Sequence, residues 1–249
     1  MGAIQKRIPE KHEGIEDYHE ISKYYKAHQI IKRKWGWDIY DIISRNILKN
    51  IDVKKQGKIL DVACGYGGLT KNLSHYRRML EFTGIDISKP MIAFGKKHIS
   101  NKKISFRVMP ADRINFPDES FDYVLCKDAF HHFKNPIKVL KEMFRVLKKG
   151  GYIYAIDLRR DTPKKIFYEM IQLSAELNTE NAIAQAESHC AAFTRKEMKN
   201  IVGKAAIKNY KIFIPEMGKN FLKEYELKEK SYLTASVYLK DKMILIAKK

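Results

Sequence analysis

Cysteine is scarce. The three in 249 residues, Cys64, Cys126 and Cys190, stand far apart and form no CxxC pair. That argues against a disulfide framework and a zinc ribbon, and an odd, sparse set suits a reducing compartment. Long apolar runs are also missing, none approaching the roughly 20 residues that cross a bilayer. The first nine residues show no apolar signal region, so a cytoplasmic protein is the expectation. The eight histidines are scattered except for His131-His132, and no metal site is expected. Acids are in deficit, 29 against 48 lysines and arginines, which leaves a net charge of +19. Such a balance can be the footprint of a nucleic-acid partner. Yet the cations are mostly lysines dispersed in ones and twos, and Lys32-Arg33-Lys34 is the one run of three. Dispersed lysine fits a compositional habit or a heat-adapted surface equally well. Nucleic acid therefore ranks behind a small molecule as the expected partner.

Apolar content of 45% and charged content of 31% suit a folded domain, and the length allows one core with a lid. The chain is organised around Lys58-Ile59-Leu60-Asp61-Val62-Ala63-Cys64-Gly65-Tyr66-Gly67-Gly68-Leu69-Thr70. A short apolar run, an acid, three glycines in four residues and a helix start make a strand–loop–helix unit. Such a unit brings backbone close to a ligand, with free N–H groups and a partial positive charge at the helix start. Asp61 is placed to brace the loop or to attract a cationic ligand group.

Upstream, apolar and aromatic residues recur at helical spacing from Ile15 to Asn50, broken at Trp35-Gly36-Trp37, and read as two helices. Their aromatics serve to dock helices on a sheet, or, as Tyr18, Tyr24 or Tyr25, to close over a ligand. Downstream, a second strand ends at Asp86, where an acid can accept from both ribose hydroxyls. Ser88-Lys89-Pro90 starts a helix, and Ile87 and Met91 offer apolar surface to an adenine face. A third strand, 104–109, leads to Pro110-Ala111-Asp112-Arg113, with Asp112 placed for an exocyclic amine. A fourth strand ends at Cys126, followed by Lys127-Asp128-Ala129-Phe130-His131-His132-Phe133. A helix from Pro136 to Leu147 is expected to be capped by Lys148-Lys149-Gly150-Gly151, before a fifth strand, 152–158. Successive β-α units imply a parallel sheet with helices on both faces. Residues 163–190 read as helix, Thr194-Arg195-Lys196-Glu197 as a capping box, and 207–214 and 242–247 as two last strands. A lid fits 160–193 and a second lobe fits 216–236.

In fixed order, the loop Asp61–Gly68, Asp86, Asp112, the segment 121–133 and Leu147-Lys148-Lys149-Gly150-Gly151 resemble the class I S-adenosylmethionine-dependent methyltransferases. The resemblance is to the small-molecule branch that includes the quinone-methylating enzymes, and it covers about residues 58–160. Ala63 departs from that family's D-x-G-x-G-x-G loop, at a position read as needing a small residue. Asp128-Ala129-Phe130-x-His132 also resembles a string of the glycine/sarcosine and phosphoethanolamine N-methyltransferases.

The resemblance implies an α/β, doubly wound, mostly parallel seven-stranded sheet of Rossmann-like type with a helical lid. Its layout would be a 1–50 cap, a 51–160 cofactor core, a 161–193 lid, and a 194–249 return with the 216–236 insertion. S-adenosyl-L-methionine, leaving as S-adenosyl-L-homocysteine, would meet Asp61, Ala63, Cys64, Gly65 and Gly67. Asp86, Ile87 and Met91 would hold its ribose and adenine, with Ala111, Asp112, Arg113, Lys127 and Tyr24 completing the site. His132, Asp128 and His131 are the catalytic candidates for a small-molecule acceptor, methylated by direct in-line displacement. Two other functions compete, an RNA methyltransferase using the basic surface and a non-catalytic cofactor-binding regulator.

Overall fold

The computed structural model describes residues 6–9, 18–216 and 229–249. Seven strands form one sheet: β1 (Gly57–Val62), β2 (Leu80–Asp86), β3 (Ile104–Val108), β4 (Phe121–Lys127), β5 (Leu147–Leu158), β6 (Tyr210–Phe213) and β7 (Lys242–Lys248). Their order is β3-β2-β1-β4-β5-β7-β6. The first five run parallel, and β7 pairs antiparallel with both β5 and β6. Strand order reverses between β1 and β4, so their carboxyl ends open the crevice where such sheets bind ligands.

The central strands are apolar on both faces, as parallel strands covered by helices must be. Leu60, Val62, Val124, Cys126, Ile153 and Ala155 face one cluster, with Leu140 and Met143 of α5 (Pro136–Val146) and Val202 of α8 (Arg195–Lys204). Ile59, Phe82, Tyr123, Leu125, Tyr154 and Ile156 face the other. There they meet Ile43 and Ile47 of α2 (Ile39–Asn50) and Leu73 of α3 (Gly68–Tyr76). Helix α1 (Tyr18–Trp35) contributes Ile21 to a third group with Tyr66, Met91 and Phe94, the last two from α4 (Lys89–His98). The Trp35-Gly36-Trp37 break holds, Gly36 lying at φ 72°.

Two expectations need correction. Helix α5 ends at Val146, and Leu147–Gly151 already belongs to β5, so Gly150 and Gly151 do not cap it. Gly151 instead lies so near Asp122 that a Cβ would fall 2.6 Å from that residue's carbonyl oxygen. The expected single helix over 163–190 is two, α6 (Lys164–Ala175) and α7 (Thr179–Ala191). Asn178 separates them, its side chain accepting from the Asn181 amide at 2.7 Å as N-cap. Of the 216–236 lobe, 217–228 lie outside the described residues. Residues 229–236 fall in α9 (Glu229–Lys240), whose Ala235, Tyr238 and Leu239 join the cluster on one face of the sheet. The capping box at α8 is present, with Thr194 and Glu197 reciprocally bonded.

Candidate active site

At the carboxyl end of β1 the chain bends through Ala63, Gly65 and Gly67, all at positive φ (54°, 55° and 86°). Gly67 also admits the Phe106 ring, which a Cβ would meet at 2.3 Å. Asp61 is buried and accepts from Thr70 Oγ1 at 2.6 Å, which ties the strand end to the first turn of α3. Burial pushes its carboxyl up to about 6, against the pull of the Thr70 bond and of nearby Lys127. Asp86, at the tip of β2, accepts from the Gly65 amide at 2.8 Å and the Ser88 amide at 2.9 Å. Burial raises its carboxyl too, while the two amides and the charge of His132 hold it down.

These residues suit a nucleoside with a cationic tail. The Asp86 oxygens keep lone pairs beyond the two amides. Ile87 beside it is 57% exposed and Val108 46%, apolar surface next to a diol acceptor. A Cβ on Gly65 would enter open space, with Met91 Sδ at 3.9 Å the nearest atom. Two acids at the ends of neighbouring strands match a positive group. Cys64 and Cys126 are free thiols pushed up by burial, which leaves both as packing atoms rather than nucleophiles.

Aromatics from the N-terminal helices cover the bend. Tyr40 packs on Tyr66 (6.1 Å) and His28 (5.1 Å), and Tyr25 packs on Tyr66 (5.5 Å). A Cβ on Gly68 would strike the Tyr40 ring at 2.3 Å. The side chain of Tyr24 lies outside the described residues. Asp112 is half-exposed and faces Lys138 Nζ at 3.1 Å, and Arg113 beside it is exposed.

After β4 two buried charge systems appear. Lys127 Nζ lies 2.6 Å from Asp128 Oδ2 and Lys242 Nζ 3.0 Å from Asp128 Oδ1, with Tyr238 donating at 3.4 Å. Burial alone would raise the Asp128 carboxyl, but the two ammonium groups hold it far below the ordinary range. Asp128 therefore stands as the counter-ion of two lysines and is a poor proton acceptor while they hold it. Lys127 is likewise committed to it, and sits 5.5 Å over the Tyr40 ring. The second system is His131, buried, with Nδ1 2.6 Å from Asp157 Oδ1. Asp157 also accepts the amides of His131 (3.0 Å) and Leu158 (2.8 Å). A carboxylate so supplied only accepts, so Nδ1 carries the proton and Nε2 keeps its lone pair in the neutral ring. His132 is exposed, 4.0 Å from the His131 ring, and its charge reaches Asp86.

Asp157, Lys242, Tyr238 and Tyr40 escaped the reading of the sequence. Asp157 carried a signal, an acid at the end of an otherwise apolar strand. Lys242 and Tyr238 carried none, because only the antiparallel return of β7 brings them to β4.

Residues 60–155 match the family model described as "Methyltransferase domain". That match runs from β1 into β5 and takes in the acid-glycine bend and Asp86, so this segment is similar to methyltransferase domains. A demethylmenaquinone methyltransferase of Staphylococcus haemolyticus is 33% identical over 147 residues, 57% of this chain and 58% of that one. A ubiquinone/menaquinone biosynthesis C-methyltransferase of Geobacter sulfurreducens is 29% identical over 171 residues, 66% and 65% of the two chains. The matches thus span less than two thirds of either relative. In fold, the chain is similar to the Haemonchus contortus phosphoethanolamine N-methyltransferase 2 in complex with phosphomonomethylethanolamine and S-adenosylhomocysteine. The TM-score is 0.63 at 18% identity, covering 96% of this chain and 61% of that one.

Proposed function

We propose that the protein transfers a methyl group from S-adenosylmethionine to a small acceptor bearing an acidic ring hydroxyl, as a quinol does. The observation that carries this reading is the His131–Asp157 pair, set beside His132, whose charge reaches the expected ribose acid Asp86. When bound, S-adenosylmethionine supplies an electrophilic methyl on a sulfonium that leaves as a neutral thioether. Asp86 holds the ribose diol, Gly65 and Gly67 let backbone approach the methionine moiety, and Asp61 fixes the bend while presenting negative charge. His131 Nε2 takes the hydroxyl proton of the acceptor, and Asp157 stabilises the imidazolium that forms. Loss of that proton makes the ring carbon a nucleophile; once it carries the methyl, its own C–H proton moves to the ring oxygen as aromaticity returns, and the base is neutral again when the hydroxyl proton passes to water.

The names of the two quinone-methylating relatives support this acceptor class. An amine acceptor, suggested by the Asp128-Ala129-Phe130-x-His132 string, is disfavoured because Asp128 is consumed by two lysines and offers little to a third cation. Helices α6 and α7 form the lid in this reading. No helix among the described residues is long and apolar enough to cross a membrane.

The test is methyl transfer to a panel of demethylated quinols by wild type, His131→Asn and Asp157→Asn. Turnover should fall about 100-fold or more with cofactor affinity unchanged. Equal turnover in all three proteins rejects the base.

A further inference from the structure

A quarter of the 48 basic residues that look dispersed along the sequence gather in space. Parallel strands all enter the sheet at one edge, and five strand termini at that edge carry a basic pair. Lys54-Lys55 precede β1, Arg77-Arg78 precede β2, and Lys102-Lys103 precede β3. Lys148-Lys149 open β5, and Lys248-Lys249 close the antiparallel β7 at the same edge. Lys58 and Lys208 raise the count to twelve. Five acids share the edge: Asp52, Glu81, Asp118, Glu119 and Asp122. Several are already engaged, Asp122 with Lys148 at 2.9 Å, Asp118 with Arg145 at 2.7 Å and Glu119 with Lys249 at 3.5 Å.

Part of this charge answers the helices. Helices α2, α3, α4, α5 and α8 end at this edge, and each C-terminus carries roughly half a negative charge. Five such ends ask for two or three cations. Twelve cations against five acids leave seven, of which the helix ends take two or three. The opposite edge, where β1, β2 and β5 end beside Asp61, Asp86 and Asp157, carries one such pair at a strand terminus among the described residues, the buried Arg159-Arg160. The sheet is therefore electrically polarised, and the basic rim stands a strand's length, about 20 Å, from the candidate active site.

We propose that this rim is a docking surface for the phosphate backbone of a nucleic acid duplex, separate from the methyl-transfer site. At about 4.8 Å between strands, seven strands give a row of cations about 29 Å long, enough to meet several successive phosphates. A groove of about 220 Å³ opens at its middle, lined by Lys54, Lys149, Lys248, Gly150 and Gly151 and also by Asp52 and by Asp122, the latter already paired with Lys148. It is wide enough for a phosphate group. A lipid surface fits less well, since Met79 is the large apolar residue exposed on this rim among the described residues. The duplex would be a partner and not the methyl acceptor. This goes beyond the activity proposed above and does not depend on it.

The experiment is fluorescence anisotropy with labelled 20-base-pair RNA and DNA duplexes, using wild type, a Lys102→Glu/Lys103→Glu/Lys149→Glu/Lys248→Glu variant and a milder Lys149→Gln/Lys248→Gln variant. Wild type should bind with micromolar affinity and a log–log salt slope of about −4 or steeper, since five or more phosphates are neutralised. The charge-reversed protein should lose at least tenfold in affinity and show a shallower slope. The milder variant should fall between, and cofactor titration should be unchanged in all three. Similar RNA and DNA affinities support backbone docking, and a preference for one names the source. Equal binding by all variants overturns the proposal. So does rim-dependent binding to phosphatidylglycerol vesicles without duplex binding, and so does methyl incorporation into the duplex.

Discussion

Asp61 shows what one buried carboxylate costs and what it supplies. Its carboxyl stands near 6 against an ordinary 3.8, a penalty of about 3 kcal/mol for keeping it charged. The folded state binds that proton more tightly than the unfolded chain. The cost is thus absent below pH 4, grows between 4 and 6, and is complete above 6. Asp61→Asn should stabilise the cofactor-free protein by up to about 3 kcal/mol at pH 7.5 and leave it unchanged at pH 4. Denaturant titrations at the two pH values check this. Cofactor binding should weaken in wild type as pH falls through 6, because the protonated acid no longer faces the cation. Asp128 has the opposite sign. Its depressed carboxyl stabilises the fold above the ordinary carboxylate range, and that contribution is lost on acidification. Asp128→Ala would take the shared counter-ion from two buried ammonium groups and should cost about 3–5 kcal/mol by chemical denaturation. Ala63, read as needing only small size, also sits at φ 54°, where L-residues are strained.

Among the elements, the contact between α2 and the glycine bend is the tightest. Gly68→Ala drives a methyl into the Tyr40 ring and should cost about 1–3 kcal/mol as overpacking does. Tyr40→Ala should remove most of that penalty, and a double-mutant cycle should return a coupling of about 1 kcal/mol or more. A second tie crosses elements through Arg7, whose guanidinium donates to the Ala191 carbonyl (2.6 Å) and the His131 carbonyl (2.7 Å) and lies over Phe193. It links the end of α7 to the turn that carries the candidate base. Element types were legible because each has a local cause: alternating apolar strands, Ser88 and Thr194 caps, and a glycine bend after an acid. Boundaries were legible only where a cap was local. The end of α5 was misplaced because the strand pairing of Lys148–Gly151 is a long-range event, invisible to a scan for glycine caps.

At the scale of the molecule, the sequence exposed the half of the site that is built locally. Asp61, Gly65, Gly67 and Asp86 lie within 26 residues and come together through one β-α-β unit. The other half is assembled by topology. Asp157, Lys242 and Tyr238 reach the end of β4 because β5 pairs with β4 and β7 with β5, and no spacing rule announces that. The charge pattern obeys the same logic, since residues scattered in ones and twos align only when strands share an edge.

The central claim is that the bend between Asp61 and Asp86 holds S-adenosylmethionine, and isothermal titration calorimetry of that nucleoside tests it most directly. The account predicts one site per chain for wild type and at least a tenfold loss of affinity for Asp86→Ala. A folded wild-type protein that gives no heat, or an Asp86→Ala variant that binds as tightly as wild type, would contradict it.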